Sequence, residues 1–232
     1  MSIWSEIGRL AKEAAREAKR PFAALFDAFA ERRAERDAAL FSVALIALSA
    51  KMAKADGIVT DDEVAAFGDF FGAPAEEMDK VRALYGLAQE DVAGFDHYAR
   101  RVARIYAEEP TVLEDVLDCL FHVAGADGVA HPEELRLLKQ ASDIFGIKEG
   151  CWRRIKAAHF GVDPEDAFAI LGVEPDASDE EISAARRDLA KRHHPDALAA
   201  RGVPLEALKI AEGRMAAVNA AYEKIMSDRR AA

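Results

Sequence analysis

The sequence predicts an all-α protein. Of its 232 residues, 51% are hydrophobic, 31% are charged and only 8% are aromatic. Residues that favour helices, above all alanine, leucine, glutamate, lysine and arginine, are abundant. Apolar residues recur every three or four positions along most of the chain, which is the spacing of amphipathic helices. We therefore expect N-terminal amphipathic helices, a central helical bundle and a C-terminal helical hairpin.

Length and composition limit the possible functions. At 232 residues the chain is long enough for two compact units that each bury a core. The formal net charge of -11 argues against general nucleic-acid binding, which needs a basic surface. Cys119 and Cys151 lie far apart without CxxC spacing, so we predict reduced thiols in a cytoplasmic protein rather than a disulfide framework or a zinc site.

The N-terminal segment, residues 1–37, has apolar positions at helical spacing on both sides of a break at Pro21. Charged residues such as Glu6 and Arg9 interrupt every apolar run, unlike the layout of a signal peptide. We predict two amphipathic helices here. Their slight basic excess leaves two interpretations open. Residues 1–36 could contact the inner membrane peripherally, or they could pack on the following domain or form a solvated arm; the weakness of the excess favours the second interpretation.

The longest apolar stretch covers residues 38–50. It is shorter than the roughly 20 residues that a membrane-spanning helix needs. We therefore predict a buried core helix at this position and a cytoplasmic location for the protein.

A short pattern occurs twice between residues 38 and 148. Residues 55–59 (Ala-Asp-Gly-Ile-Val), followed by Glu63, recur as residues 126–130 (Ala-Asp-Gly-Val-Ala), followed by Glu134. In each copy the glycine suits the left-handed conformation that ends a helix, and the residues after it suit the start of the next helix. The repeat predicts a helix-turn-helix hairpin used twice.

The duplicated hairpin resembles the TerB-like tellurite-resistance domain, an all-helical module, over residues 38–148. Neither copy has the spacing of an EF-hand loop. The resemblance nevertheless implies candidate ligands for a divalent cation such as calcium, which prefers oxygen donors: Asp56, Glu63, Asp127 and Glu134. The alternative is that these acids only cap helices and interact favourably with the helix dipole.

Glycines at positions 146, 150 and 161 mark a boundary after the central bundle. We predict a short connecting helix within residues 149–164. The C-terminal unit then covers residues 165–232.

The C-terminal unit contains three helical patterns. The first is short and apolar and stops at Gly172. The second begins after an N-cap, either Ser178 or Asp179, and runs to about His193. The third begins near Pro204 and carries an unbroken apolar stripe, so we expect it to pack antiparallel against the second.

The second of these helices changes sign along its length. Its first turn is acidic, and cations gather near its negative end. They form a basic face that consists of Arg186, Arg187, Lys191 and Arg192. His194, Pro195 and Asp196, here called the HPD tripeptide, follow directly. Because a proline pushes its predecessor out of helical geometry, we predict that the HPD tripeptide lies in a loop.

These motifs resemble, in order and spacing, the J-domain of the DnaJ family. Residues 168–173 are similar to the family's Tyr-x-x-Leu-Gly-Val opening. Residues 187–190 look like its Arg-x-Leu-Ala segment, and residues 219–222 like its Asn-x-Ala-Tyr segment. The loop at residues 193–204 is similar to that of DjlA-type co-chaperones, which also join a TerB-like region to a C-terminal J-domain.

The resemblance implies a non-enzymatic co-chaperone that needs no cofactor and stimulates ATP hydrolysis by a DnaK-type heat-shock chaperone. The basic face would steer the protein onto an acidic surface of that partner. The chain itself offers no nucleophile with a local base and no phosphate-binding glycine loop. The implied partner-binding residues are His194, Pro195, Asp196, Arg186, Arg187, Lys191 and Arg192.

Some positions depart from the J-domain pattern. Arg186 stands where an aromatic residue is often found, Asp188 where the family has a basic residue, and Ala197 where it commonly has lysine. These departures predict a changed affinity for the partner or a changed choice of partner. The DjlA-type transmembrane segment is absent, which argues against membrane anchorage. The alternative function is a metal-responsive stress module in which the J-domain is degenerate.

Overall fold

The computed structural model describes most of the chain as helices, and no β-strand occurs in the part that it describes. The described residues are 3–18, 20–31, 38–56, 68, 73, 75–91, 93–125, 131–161, 166–200 and 209–231. The α-helices within them are α1 (Ile3–Glu17), α2 (Pro21–Glu31), α3 (Ala38–Asp56), α4 (Met78–Glu90), α5 (Phe95–Ile105), α6 (Pro110–Ala124), α7 (Pro132–Phe145), α8 (Glu149–Phe160), α9 (Ala167–Leu171), α10 (Asp179–Arg192), α11 (Pro195–Ala200) and α12 (Lys209–Ala231). The all-α prediction is confirmed.

Helices α1 and α2 pack on the central bundle. Ile7 of α1 is buried, and the rings of Phe22 and Phe26 on α2 lie 5.7 and 5.5 Å from the ring of Tyr98 on α5. Arg20, next to α2, forms an ion pair of 2.7 Å with Asp91. The apolar faces of both helices therefore join the core of the bundle, and membrane contact by residues 1–36 stays a prediction.

Helix α3 is the centre of the central bundle. All of its side chains from Leu40 to Met52 are buried, and α1, α2, α4, α5, α6 and α7 contact it. A helix that is apolar on every side belongs inside a protein core. The prediction of a buried helix over residues 38–50 is confirmed for residues 40–50, and the side chains of residues 38 and 39 lie outside the described part. None of the helices described here combines the length and the apolar character that crossing a membrane requires.

Both cysteines lie within this part of the protein. Cys119 on α6 and Cys151 on α8 are free and buried. Burial raises the pKa of the Cys151 thiol to about 12, which keeps it protonated and unreactive near neutral pH.

The C-terminal unit has a smaller core of its own, formed mainly by α9, α10 and α12. The start of α10 meets the end of α12, where Arg229 and Asp179 form an ion pair of 2.6 Å. Further along, Arg186 of α10 donates a hydrogen bond of 2.9 Å to Asn219 of α12. These pairings run in opposite directions along the two helices, so the predicted antiparallel packing is confirmed.

Helix α8 joins the two units tightly. It contacts α6 of the central bundle and both α9 and α12 of the C-terminal unit. Arg154 on α8 donates a hydrogen bond of 3.2 Å to the backbone carbonyl of Ile170. A β-carbon added at Gly150 would lie 2.6 Å from the carbonyl oxygen of Ala169. The segment predicted as a connecting helix therefore forms part of the interface between the two units.

The close approach of Gly150 to the backbone of Ala169 leads to a testable prediction. Gly150→Ala is expected to lower the free energy of unfolding by about 1–3 kcal/mol, because α9 must move away from α8 to make room for the methyl group. Gly86→Ala on α4 is the matched control, since nothing lies within 4 Å of its added β-carbon. The control should gain about 0.5–1 kcal/mol from helix propensity. Urea unfolding followed by circular dichroism measures both changes, and equal shifts would contradict the close packing.

Candidate functional site

Helix α10 begins with a capping box. The backbone N–H of Ser178 donates to the Glu181 carboxylate at 2.7 Å, and the N–H of Glu181 donates to the Ser178 hydroxyl at 3.2 Å. The Ser178 hydroxyl also donates to the Glu181 carboxylate at 3.0 Å, and the two bonds that this carboxylate accepts, first from the Ser178 backbone and then from its hydroxyl, lower the pKa of Glu181. Of the two predicted N-cap residues, Ser178 therefore caps α10, and this fixes where the helix starts.

The predicted basic face lies on the exposed side of α10, whose main helix contacts are with α9, α11 and α12. Arg187, Lys191 and Arg192 are exposed to solvent. Arg186 is exposed as well, but its guanidinium lies 4.8 Å from the centre of the Tyr222 ring and bonds to Asn219. Arg186 thus holds α10 against α12, while the other three cations face solvent.

The structure corrects the prediction that the whole HPD tripeptide lies in a loop. Helix α10 ends at Arg192, and the short helix α11 begins at Pro195. Only His194 of the tripeptide stays outside a helix. A proline can follow the end of one helix, and its fixed φ also suits the first position of the next helix. The new helix is hydrogen-bonded from its start, because the carbonyl oxygen of His194 accepts hydrogen bonds from the N–H groups of Ala197 and Leu198 at 2.9 and 3.1 Å.

The side chain of His194 helps to start α11. Its Nδ1 atom accepts a hydrogen bond of 3.3 Å from the backbone N–H of Asp196, so in the neutral ring the proton is on Nε2. The His194 side chain is 62% exposed and that of Asp196 is 94% exposed. Both side chains can therefore contact another protein without any rearrangement of this one.

The residues on either side of the HPD tripeptide are buried. His193, directly before it, is only 3% exposed. Leu198, two residues after Asp196, is fully buried in the larger core, which otherwise consists of residues from α1 to α8. The exposed side chains of His194 and Asp196 thus lie between two side chains that face the interior.

Arg214 is a functional candidate that the sequence analysis did not identify. It lies on α12, is buried, and forms ion pairs with Asp115, at 2.7 Å, and with Asp118, both on α6. Its guanidinium also lies 3.0 Å from Nδ1 of His193, and His159 bonds to Asp118. We call these five residues the buried ion cluster. Asp115 and Asp118, one turn apart on a largely apolar helix, were the signal in the sequence.

Electrostatics keep Asp118 and Arg214 of the buried ion cluster charged. Burial by itself raises the pKa of Asp118, but the positive charge of Arg214 and the hydrogen bond from His159 together lower it below its usual range. Burial likewise opposes the charge on Arg214, and the two carboxylates raise the pKa of its guanidinium despite this. The cluster is therefore a paired set of charges at the interface between α6 and α12.

The candidate metal ligands are only partly covered by the structure. Glu63 and Asp127 lie outside the described residues, and of Asp56 only the backbone, at the end of α3, is described. Glu134 lies in the first turn of α7 and is buried. Within the described ranges no group of three or more potential ligands comes together. Calcium binding by Asp56, Glu63, Asp127 and Glu134 stays a prediction.

Comparison with known proteins divides the chain into a central and a C-terminal domain. The family model of the tellurite resistance protein TerB matches residues 42–157, which is half of the chain. The model of the DnaJ domain matches residues 166–232. No solved structure shows significant similarity.

Similar relatives include several proteins named Co-chaperone protein DjlA. The one from Photobacterium profundum is 28% identical, and the alignment covers 88% of this chain and 84% of that protein. The one from Aliivibrio fischeri is 24% identical, with 84% of this chain and 80% of that protein covered. The one from Shewanella oneidensis is 41% identical over 64 residues, which are 28% of this chain and 24% of that protein. The chain therefore belongs to the TerB tellurite-resistance family through its central domain, and it joins that domain to a C-terminal DnaJ domain as DjlA-type J-domain proteins do.

Proposed function

We propose that this protein is a DnaJ-like co-chaperone that stimulates ATP hydrolysis by an Hsp70 chaperone of the DnaK type. The observation that supports this most directly is the pair of exposed side chains, His194 and Asp196, in the HPD tripeptide at the end of the exposed basic face of α10. The match to the DnaJ domain and the names of the DjlA relatives support the same class of function. The proposed location is the cytoplasm, where such a chaperone would be found.

The basic face would act in the encounter between the two proteins. Arg187 and Lys191 are exposed cations on a chain whose net charge is -11, so they form a local positive surface on an acidic protein. Such a surface attracts an acidic patch on a partner and orients the approach. The net negative charge elsewhere would discourage contacts through other faces.

The HPD tripeptide would act after the encounter. A ligand shifts a partner between two states only when it binds one of them better than the other. His194 and Asp196 offer an N–H donor and a carboxylate acceptor within one turn, and both side chains are exposed. Contacts from these groups would favour the hydrolysis-competent state of the chaperone. ATP would be hydrolysed in the partner, and this chain would supply binding energy only.

The test is a steady-state ATPase assay with a DnaK-type chaperone and increasing amounts of the full chain. We expect turnover to rise several-fold, with a dose for half-maximal stimulation that increases with salt, because salt screens the basic face. Arg187→Glu should raise that dose, whereas Lys156→Glu, an equal charge change at an exposed position on α8, should leave it unchanged. Chaperone turnover that stays at its basal rate at a saturating dose of wild-type protein would refute the proposed function.

A further inference from the structure

The HPD tripeptide is anchored on the central bundle from both sides. Before it, His193 contacts Arg214, which in turn bonds to Asp115 and Asp118 of α6. After it, Leu198 is buried in the larger core. One anchor is polar and the other is apolar, and only His194 to Ala197 lie between them.

The polar anchor, His193 with Arg214, holds its place through hydrogen bonds of fixed direction. A guanidinium only donates, so Nδ1 of His193 is the acceptor of the 3.0 Å hydrogen bond from Arg214. Arg214 cannot shift without breaking its bonds to Asp115 and Asp118, which lie on a helix packed in the bundle core. The orientation of the His193 ring, and hence the end of α10, is fixed by residues of another domain.

We propose that α6 of the central bundle positions the HPD tripeptide, through Arg214 and His193 on one side and with Leu198 as the anchor on the other. Arg214 and His193 are positioning residues, because they act through the tripeptide and not on the partner. This inference rests on the proposed function and assigns a role to the TerB-like domain: it holds the chaperone-binding surface in its binding geometry.

The docked arrangement leaves the binding surface open. The C-terminal unit contacts the central bundle and α8 mainly through α9 and α12, whereas α10 faces solvent. Arg187, Lys191 and Asp196 all stay exposed in this arrangement. Docking therefore orders the surface without covering it. A surface that is already ordered loses less conformational entropy when it binds, so binding becomes tighter.

The test compares two histidines of the buried ion cluster in the full chain. His193→Phe keeps an aromatic ring but loses the hydrogen bond to Arg214 next to the tripeptide. His159→Phe is the matched control, because it loses a hydrogen bond to the same cluster through Asp118, away from the tripeptide. Amide hydrogen exchange of Ala197 and Leu198, whose N–H groups bond to the His194 carbonyl, reports the order of the turn.

We expect exchange at Ala197 and Leu198 to be about tenfold faster in His193→Phe, the factor that corresponds to one hydrogen bond to a charged group. The dose for half-maximal ATPase stimulation should rise by a similar factor, while stimulation at saturating dose should change little. His159→Phe should leave exchange and dose unchanged. His193→Asn can place an acceptor close to the position of Nδ1. It should therefore bring both the exchange rates and the dose for half-maximal stimulation most of the way back to their wild-type values.

The outcomes separate this inference from the proposed function. Wild-type exchange rates and a wild-type dose in His193→Phe would overturn the positioning role, even if the wild-type protein stimulates the chaperone strongly. Equal effects of His193→Phe and His159→Phe would also overturn it, since they would show a general loss of stability. A wild-type protein that does not stimulate at all would refute the proposed function, and the exchange measurement would still decide whether α6 orders the turn.

Discussion

Asp196→Asn and His194→Gln are each expected to return the chaperone's ATP turnover to its basal rate. Asp196 is 94% exposed, so its charge is available to the partner. The substitution to asparagine removes that charge but keeps the size of the side chain. Breaking a hydrogen-bonded charge pair at an interface costs about 2–5 kcal/mol, partly because the partner's group is left unpaired. The same ATPase assay, run at a saturating dose of the wild-type protein, measures the loss.

The control for this prediction is Asp176→Asn. Asp176 is an exposed carboxylate in the turn that precedes α10, at the opposite end of that helix from the HPD tripeptide. It undergoes the same chemical change, and the circular dichroism spectra of all three variants should match that of the wild type. Full stimulation by Asp196→Asn, or an equal loss in Asp176→Asn, would show that the tripeptide does not carry the activity.

The local elements of the site could be predicted from the sequence. The start of α10 follows from Ser178 and Glu181 at capping-box spacing, and the basic face follows from the spacing of its cations. The burial of α3 follows from its long apolar run, which contains no charged residue between positions 38 and 50. Each of these features depends on residues within a few positions of one another, so a linear pattern contains the information.

The start of α11 shows where a local pattern leaves two outcomes open. Pro195 ends one helix by disfavouring helical geometry at His194, and its fixed φ also starts the next helix. A loop at the HPD tripeptide follows from the first property alone. Which of the two applies depends on Leu198, whose burial in the larger core holds residues 195–200 in place.

The acids Asp115 and Asp118 form a local pattern, but their pairing with Arg214 in the buried ion cluster could not be predicted from local patterns. Arg214 lies within the apolar pattern of α12, far along the chain from Asp115 and Asp118. A single arginine in such a pattern is usually placed at the solvent-exposed edge of a helix, where it needs no partner. Only the packing of α12 beside α6 makes these charges meet, and that packing depends on α8, whose approach to α9 at Gly150 is equally non-local.

Arg214→Met is expected to lower the free energy of unfolding by about 3–5 kcal/mol. Methionine fills a similar volume, but it leaves the carboxylates of Asp115 and Asp118 buried without a countercharge. An unpaired buried charge is far more costly than a missing hydrogen bond between neutral groups. Urea unfolding at neutral pH measures the change.

The same variant should respond differently to acid. In the wild type the pKa of Asp118 is lowered, so its contribution to stability is complete above the ordinary carboxyl pKa of about 3.9 and is lost as the pH falls below that value. Without Arg214 the charged form loses its main stabilising partner, and protonation of the carboxylates relieves the cost. The difference in unfolding free energy between wild type and Arg214→Met should therefore shrink as the pH is lowered from 7 to 4.

A variant that lacks all three charges separates the effect of the buried ion cluster on stability from its effect on the HPD tripeptide. When Asp115, Asp118 and Arg214 are all changed to leucine, no charge of the three remains unpaired, and apolar replacements of buried ion pairs are often neutral or stabilising. We expect this triple variant to regain most of the stability lost in Arg214→Met but to keep the fast amide exchange of His193→Phe, because the donor to His193 is still missing. If the free energy of unfolding of the triple variant stays low, the ion pairs themselves hold the two units together. If its amide exchange returns to the wild-type rate, Leu198 alone positions the HPD tripeptide.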